Sequence, residues 1–305
     1  MAMVINTNMA SLNAVRMLNG TQNAQQSAME RLTSGLRINT AADDAAGLAV
    51  ATGMTTQIRG TDMALRNAND GVGLLQTLDG ASEEVVDMFQ RMRELGIQAL
   101  NGTYNWENRK QMDLEFTQLQ NEIQRISDTT KFNGMNIMNA SSFSALTAAS
   151  VFPAASVGFS IPLSGMKLHI GWEAESLNQM KIPLMNFSTL SAINTAAFGL
   201  AASGSSDYTA NVSFIRSTLN RVDTAISVLK TMRASWGALQ NRLEYTISNL
   251  QNVQENIEAS RSRIMDADFA TESANLARTQ VLQQAGMSML SQANQQSQQV
   301  LQLLQ

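Results

Sequence analysis

Residues 222–264 read VDTAISVLKTMRASWGALQNRLEYTISNLQNVQENIEASRSRI. Counting in sevens from the first of them gives Val222, Leu229, Trp236, Leu243, Leu250, Ile257 and Ile264, a row of large apolar residues without a break. Ile226, Leu239 and Val253 follow members of that row by three or four residues, while Arg242, Glu244, Gln251 and Glu255 fall off it. An apolar residue at every seventh position, with a second set offset by three or four, is the pattern of a helix that buries one stripe against other helices. So narrow a stripe does not hold a lone helix in water, and the pattern therefore requires partners.

The N-terminal half supplies them. Met112, Phe116, Leu119, Ile123 and Ile126 are spaced by four and three, and Ile58, Leu65 and Val72 precede Leu78, Val85, Met92 and Ala99 in a shifted sevenfold frame. Burial of each large side chain contributes roughly 1.5–3 kcal/mol, so three such stripes predict a coiled-coil-like helical bundle drawn from both ends of the chain. The middle breaks the pattern. Between 132 and 209 lie all three prolines (Pro153, Pro162, Pro183), the only histidine, and four charges before Asp207: Lys167, Glu173, Glu175 and Lys181. Phe132-Asn133-Gly134-Met135 carries an Asn-Gly pair between apolar residues, which predicts a tight hairpin. SSFSALTAAS at 141–150 reads as loop or small irregular sheet. The expected class is mainly α with a small β or irregular central domain.

Composition excludes several functions. Of 305 residues 44% are apolar and 15% charged, enough apolar content for a sizeable core. A net charge of -4 lacks the basic footprint that phosphate binding needs, so no nucleic-acid partner is expected. There is no cysteine and one histidine, His169, which excludes thiolate and multi-histidine metal sites and any His-Glu-x-x-His protease motif. Beside Trp172, His169 reads as a surface or hairpin residue. Gly71-Val72-Gly73 lacks the third glycine and the preceding strand of a dinucleotide site and reads as helix packing at small residues. No cofactor and no catalysis are expected. The opening MAMVINTNMASLNAVR has no charge before Arg16 and no long apolar run, so it does not read as a cleaved secretory signal. No run of about 18 apolar residues predicts a membrane span.

The stretch LTSGLRINTAADDAAGLAV, 32–50, contains two adjacent aspartates. Acid/base or metal chemistry would want further polar partners, and the neighbours are alanines. Gly35 suits the left-handed position after a helix, and Thr40-Ala41-Ala42-Asp43 reads as a helix start that places Asp43 third and Asp44 just after it, near the positive end of the helix dipole. In RSRIMDADFATESANLA, 261–277, Asp266 or Asp268 interrupts the heptads in the same way before a new helix. The extreme ends are polar. From Thr279 to Gln305 there is no charged side chain and there are ten glutamines around Met287, Leu290, Leu301 and Leu304; residues 4–36 set Asn and Gln around Leu12, Val15, Leu18, Met29 and Leu32. Such weakly amphipathic ends predict helices that order only against many neighbours. The nineteen methionines read as adaptable packing.

MAMVINTNMASLNA, LTSGLRINTAADDAAGLAV, FQRMRELGIQALNGT and SRIMDADFATESANLARTQVLQQAGMSMLSQAN closely resemble segments of bacterial flagellin, in order and spacing, over residues 1–140 and 215–305. The resemblance implies that the two ends run antiparallel: 1–43 with 266–305 as terminal inner-tube helices, 44–140 with 210–265 as a surrounding helical bundle, and 141–209 as a small variable surface domain. It implies a structural subunit that self-assembles with other copies into a flagellar filament for motility. It further implies an extracellular location reached by export through the flagellum's own channel without a cleaved signal peptide. A cytoplasmic export chaperone, the filament cap and hook-associated proteins are the implied partners. A hook-filament junction protein, which shares the terminal plan, is the alternative. Phe89–Leu95 with Glu115 resembles the segment recognised by the host innate immune receptor for flagellin, which would make Arg91, Leu95 and Glu115 contact residues. Read without the resemblance, the same residues form a solvated helix face with Arg91 and Glu94 paired.

Overall fold

The computed structural model describes residues 8–139, 164–184, 187 and 208–303. The readings made for 141–150, for Pro153 and Pro162 and for most of the 141–209 segment lie outside the described residues. In chain order the elements are α1 (Met9–Ser34), α2 (Ala45–Leu100), α3 (Trp106–Thr129), β1 (Lys131–Phe132), β2 (Met135–Asn136), β3 (Ser164–His169), β4 (Gln179–Leu184), α4 (Tyr208–Met265) and α5 (Phe269–Leu303). The mainly α class with small β elements is the one expected. The chain divides into two compact units, one made of the two ends up to Arg59 and from Val253, the other of Gly60–Asn252. Both α2 and α4 supply residues to each unit.

In the unit Gly60–Asn252 the three apolar stripes share one core. Helix α2 buries Leu78, Val85, Phe89, Met92 and Ala99, α3 buries Met112, Phe116 and Ile123, and α4 buries Val222, Leu229, Trp236 and Leu243. Helix α2 also buries the adjacent pairs Leu74-Leu75 and Val85-Val86, a stripe wide enough to face more than one element. At the α2–α3 turn Asn105 caps α3 by accepting from the Asn108 N–H at 2.9 Å. The buried Arg109 donates to the carbonyls of Ala99 at 2.9 Å and Asn101 at 3.3 Å, satisfying acceptors that the end of α2 leaves open.

The heptad row of α4 is not uniform. Its first four members are fully buried, whereas Leu250, Ile257 and Ile264 are half-buried, and Val253, expected on the second seam, is 37% exposed. The buried part coincides with the core shared by α2, α3 and the second hairpin; from Val253 onward the helix belongs to the other unit, where fewer apolar residues converge.

Two hairpins complete the larger unit. Asn133 (φ 49°) and Gly134 (φ 79°) both take the left-handed conformation that a two-residue turn needs, pairing Lys131 with Asn136 and Phe132 with Met135. Strands β3 and β4 pair antiparallel from Ser164↔Leu184 to His169↔Gln179. Met180, Ile182 and Leu184 alternate inward into the bundle core while Gln179 and Lys181 are exposed. Leu168 sits where a Cβ on the buried Gly71 would be, so glycine at that position lets β3 lie against α2. The His169 carbonyl accepts from the Asn67 side chain at 3.0 Å, which places this histidine in the hairpin as the sequence suggests. Short strands were expected in this middle region, but the positions of β3 and β4 were not legible because the alternation spans only six residues and is interrupted by Pro183.

Candidate assembly surface

The unit made of the chain ends is organised by a short joint. Gly35, at φ 72°, ends α1 and donates to the Arg31 carbonyl at 2.9 Å. The next residue, Leu36, forms an antiparallel bridge with Asp266; the Arg37 N–H donates to Met265 O at 2.6 Å and the Ala267 N–H to Gly35 O at 3.0 Å. The Arg37 guanidinium donates to Ile264 O at 2.6 and 3.2 Å. The Arg37 donors satisfy carbonyls at the end of α4, where a cation also complements the helix dipole.

The two aspartates after the joint do different work from that expected. Residues 41–43 form a turn rather than the first turn of α2, which begins at Ala45. Asp43 is therefore not a third helical residue: its carboxylate accepts from the N–H of Thr40 at 2.9 Å, the Thr40 hydroxyl at 3.0 Å and the Asn39 N–H at 3.2 Å. Asp44 caps the helix by accepting from the Gly47 N–H at 2.9 Å. Thr40 turns its hydroxyl to the Asp43 carboxylate and Asp44 takes the cap, so the short polar side chains hold residues 40–43 in a turn and the helix starts after them. The Thr40 N–H, then its hydroxyl and the Asn39 N–H, with Arg31 beyond, hold the Asp43 carboxyl below the usual carboxylate range. At the start of α5 Asp268 accepts from Thr271 Oγ1 at 2.8 Å and the Ala270 N–H at 2.9 Å, and the Thr271 hydroxyl leads the groups that lower its pKa. Each of these three carboxylates accepts hydrogen bonds from groups two to four residues away, the pattern of a turn or cap rather than of a site for a ligand.

Beyond the joint α1 and α5 run antiparallel. Arg31 Nη1 meets the buried Glu272 at 3.1 Å, Leu18 lies against Gly286, and the Asn8 side chain donates to Ala293 O at 3.1 Å. The less exposed positions of α1 are Ser11, Ala14, Leu18, Thr21, Gln25, Ala28 and Leu32; those of α5 include Leu276, Thr279, Gln283, Gly286 and Leu290. Both sets alternate steps of three and four, a heptad seam made mostly of small and polar residues. The large apolar residues lie elsewhere. Met9, Leu12, Val15, Met17 and Met29 on α1, and Phe269, Val281, Leu282, Met287 and Met289 on α5, are all exposed. At about 100° per residue, Leu12, Val15 and Met29 fall to one side of the α1 seam and Met17 to the other. The row expected at Leu12, Val15, Leu18, Met29 and Leu32 is thus divided: Leu18 and Leu32 join the seam and the rest face outward.

On the larger unit Arg91 pairs with Glu115 of α3 at 2.8 Å and with Glu94 at 3.0 Å, all three exposed. Glu115 and Glu94 raise the Arg91 pKa further, so its charge is permanent. Leu95, expected beside them as a contact residue, is only 2% exposed and belongs to the core, because its position on α2 faces the bundle. Among the described residues no group of three or more His, Asp or Glu side chains is placed to hold a metal ion, and no helix is long and apolar enough to cross a membrane.

Two long end segments that pair through small residues and turn large apolar ones outward suit a subunit surrounded by copies of itself, and comparison with known proteins agrees. Residues 5–142 match the bacterial flagellin N-terminal helical region and residues 219–304 the bacterial flagellin C-terminal helical region. The chain belongs to the bacterial flagellin family. It is 41% identical over 302 residues to a flagellin of Halalkalibacterium halodurans, with 99% of this chain and 100% of that relative covered. The Bacillus subtilis flagellin is 40% identical over 311 residues, and the flagellar filament 33 kDa core protein of Treponema phagedenis 38% identical over 302, each with 99% of this chain and 100% of the relative covered. This family member is a structural subunit of the flagellar filament, and the hook-filament junction alternative gains no support from these relatives.

Proposed function

We propose that the subunit joins the filament by packing its α1–α5 pair against the same pair of neighbouring copies, and that the pair acquires most of its stability in that step. One observation carries this: the seam between the two helices is small and polar while ten large apolar side chains point away from it. Fixing backbone costs roughly 1–2 kcal/mol per residue, and a seam whose large members are Leu18, Leu32, Leu276 and Leu290 offsets little of that. Each outward residue contributes roughly 1.5–3 kcal/mol only once a neighbour covers it. On this reading 1–43 with 266–305 are the inner-tube segments, 44–140 with 210–265 the surrounding bundle, and 141–209 the filament's outer surface. Hydrogen exchange tests it. Amides of Leu12–Leu18 and Val281–Leu290 exchange quickly in the monomer and about a hundredfold more slowly in the filament; strong protection in the isolated monomer removes the proposal.

The resemblance of the terminal motifs supports the remaining parts: an extracellular position, export through the flagellum's own channel without a cleaved signal, a cytoplasmic chaperone, and cap and hook-associated partners. Contact with the host innate immune receptor is assigned to the exposed Arg91 and Glu115, with the buried Leu95 in a supporting place.

A further inference from the structure

Half of the outward-facing large residues on the end helices are methionines. Met9, Met17 and Met29 on α1 and Met287 and Met289 on α5 are exposed, Met17 at 75% and Met289 at 61%, whereas Met92, Met112, Met138, Met180 and Met232 are buried in the bundle core. The chain has no cysteine, so no thiol competes with these thioethers for an oxidant. Exposure decides which methionines an oxidant reaches first, and the product changes an apolar side chain into a polar one.

We infer that the five outward methionines of α1 and α5 form an oxidative modification site that switches the free subunit out of assembly, the oxidant being a hydroperoxide. The inference rests on the end-helix packing proposed above. With a hydroperoxide, a lone pair of Sδ attacks one peroxide oxygen, the S–O bond forms and the O–O bond breaks. The sulfur loses two electrons, the peroxide gains them, and the departing oxygen takes up the proton and leaves as water or an alcohol. The sulfoxide oxygen is a strong acceptor, and burying it against a neighbouring helix without a donor is unfavourable. The other large outward side chains of these helices, Leu12, Val15, Phe269, Val281 and Leu282, are apolar, so each sulfoxide sets a polar group into a contact whose large members are apolar. In the assembled state the same side chains are covered, so the chemistry acts on subunits before they are added and spares the finished filament. Thiol-dependent reduction of both sulfoxide epimers, in which two thiols become a disulfide and the oxygen leaves as water, restores the thioether and with it assembly.

The test treats full-length monomer and seeded filaments with limiting hydrogen peroxide, maps sulfoxides by peptide mass spectrometry, and follows elongation on fresh seeds by light scattering. In the monomer Met17 and Met289 oxidise about tenfold faster than Met92 and Met232, and elongation falls by about tenfold. A variant with Met9→Leu, Met17→Leu, Met29→Leu, Met287→Leu and Met289→Leu, which keeps the exposed Met63 and Met135, elongates equally well before and after peroxide. Wild-type monomer returned to the reduced state by the two epimer-specific sulfoxide reductases regains elongation, a readout that holds even if the leucine variant assembles poorly. Normal elongation by wild-type monomer sulfoxidised at all five positions overturns the inference alone, as does failure of enzymatic reduction to restore it. Equal oxidation of these methionines in monomer and filament overturns the packing of the ends and the inference together.

Discussion

Trp236 Nε1 donates a hydrogen bond to the Pro183 carbonyl at 2.8 Å, joining the heptad helix α4 to strand β4. Trp236 is the largest member of the α4 row and fully buried, and its one polar atom is used to hold the hairpin. Trp236→Phe keeps most of the apolar volume but leaves the Pro183 carbonyl unpartnered. The expected loss is about 1–3 kcal/mol in urea unfolding of the monomer; an unchanged midpoint would show that the hairpin does not depend on this bond.

Leu243 and Leu250 stand one heptad apart on the same helix, yet the first is fully buried and the second only half. Leu243→Ala destabilises the monomer by about 2–5 kcal/mol and Leu250→Ala by clearly less. Thermal melts that rank the two equally would refute the burial profile of α4.

Glycines of α2 divide by what stands over them. Gly71→Ala collides with the Leu168 side chain and forces it to shift within the packed contact, so it lowers Tm, while Gly80, with nothing near the position of a Cβ, gains roughly 0.5–1 kcal/mol from helix propensity on substitution by alanine. Calorimetry showing both variants stabilised would mean that the hairpin does not rest on Gly71.

The folded-state pKa values of Asp43 and Asp268 are both depressed, so the stability they confer is fully present above the ordinary carboxylate value of about 3.9 and is lost as pH falls through their lower folded values. The joint at 35–44 and 264–268 therefore weakens only in strong acid. The pair Asp43→Asn with Asp268→Asn is expected to flatten this part of the pH–stability profile, and a profile unchanged between pH 5 and 2 would assign the acid sensitivity to other carboxylates.

Arg91 and Leu95 separate surface from core within one turn of α2. In a reporter-cell assay on monomer, Arg91→Ala lowers activation of the flagellin-sensing receptor with Tm unchanged. Leu95→Ala costs about 2–5 kcal/mol of stability and acts through it. Full potency of a stably folded Arg91→Ala protein would withdraw Arg91 from the recognition patch.

The row Val222 to Ile264 and the stripe Met112 to Ile126 determined by themselves that helices must pack together, because a seven-residue apolar repeat has no other way to leave water. The Asn133-Gly134 turn was equally legible, since it needs only local left-handed backbone. The tertiary structure decided what local chemistry leaves open. Thr40 had a competing partner in Asp43, which moved the start of α2 to Ala45 and the cap to Asp44. Leu95 turned out to be core because the stripe on α2 is wide enough to include it. On α1 and α5 the periodic large residues were divided between seam and exterior by where the partner helix lies, a relation between segments more than two hundred residues apart that no window of sequence contains. Periodicity records that a side chain is to be buried, and only the placement of neighbours tells whether its own chain or another copy will bury it.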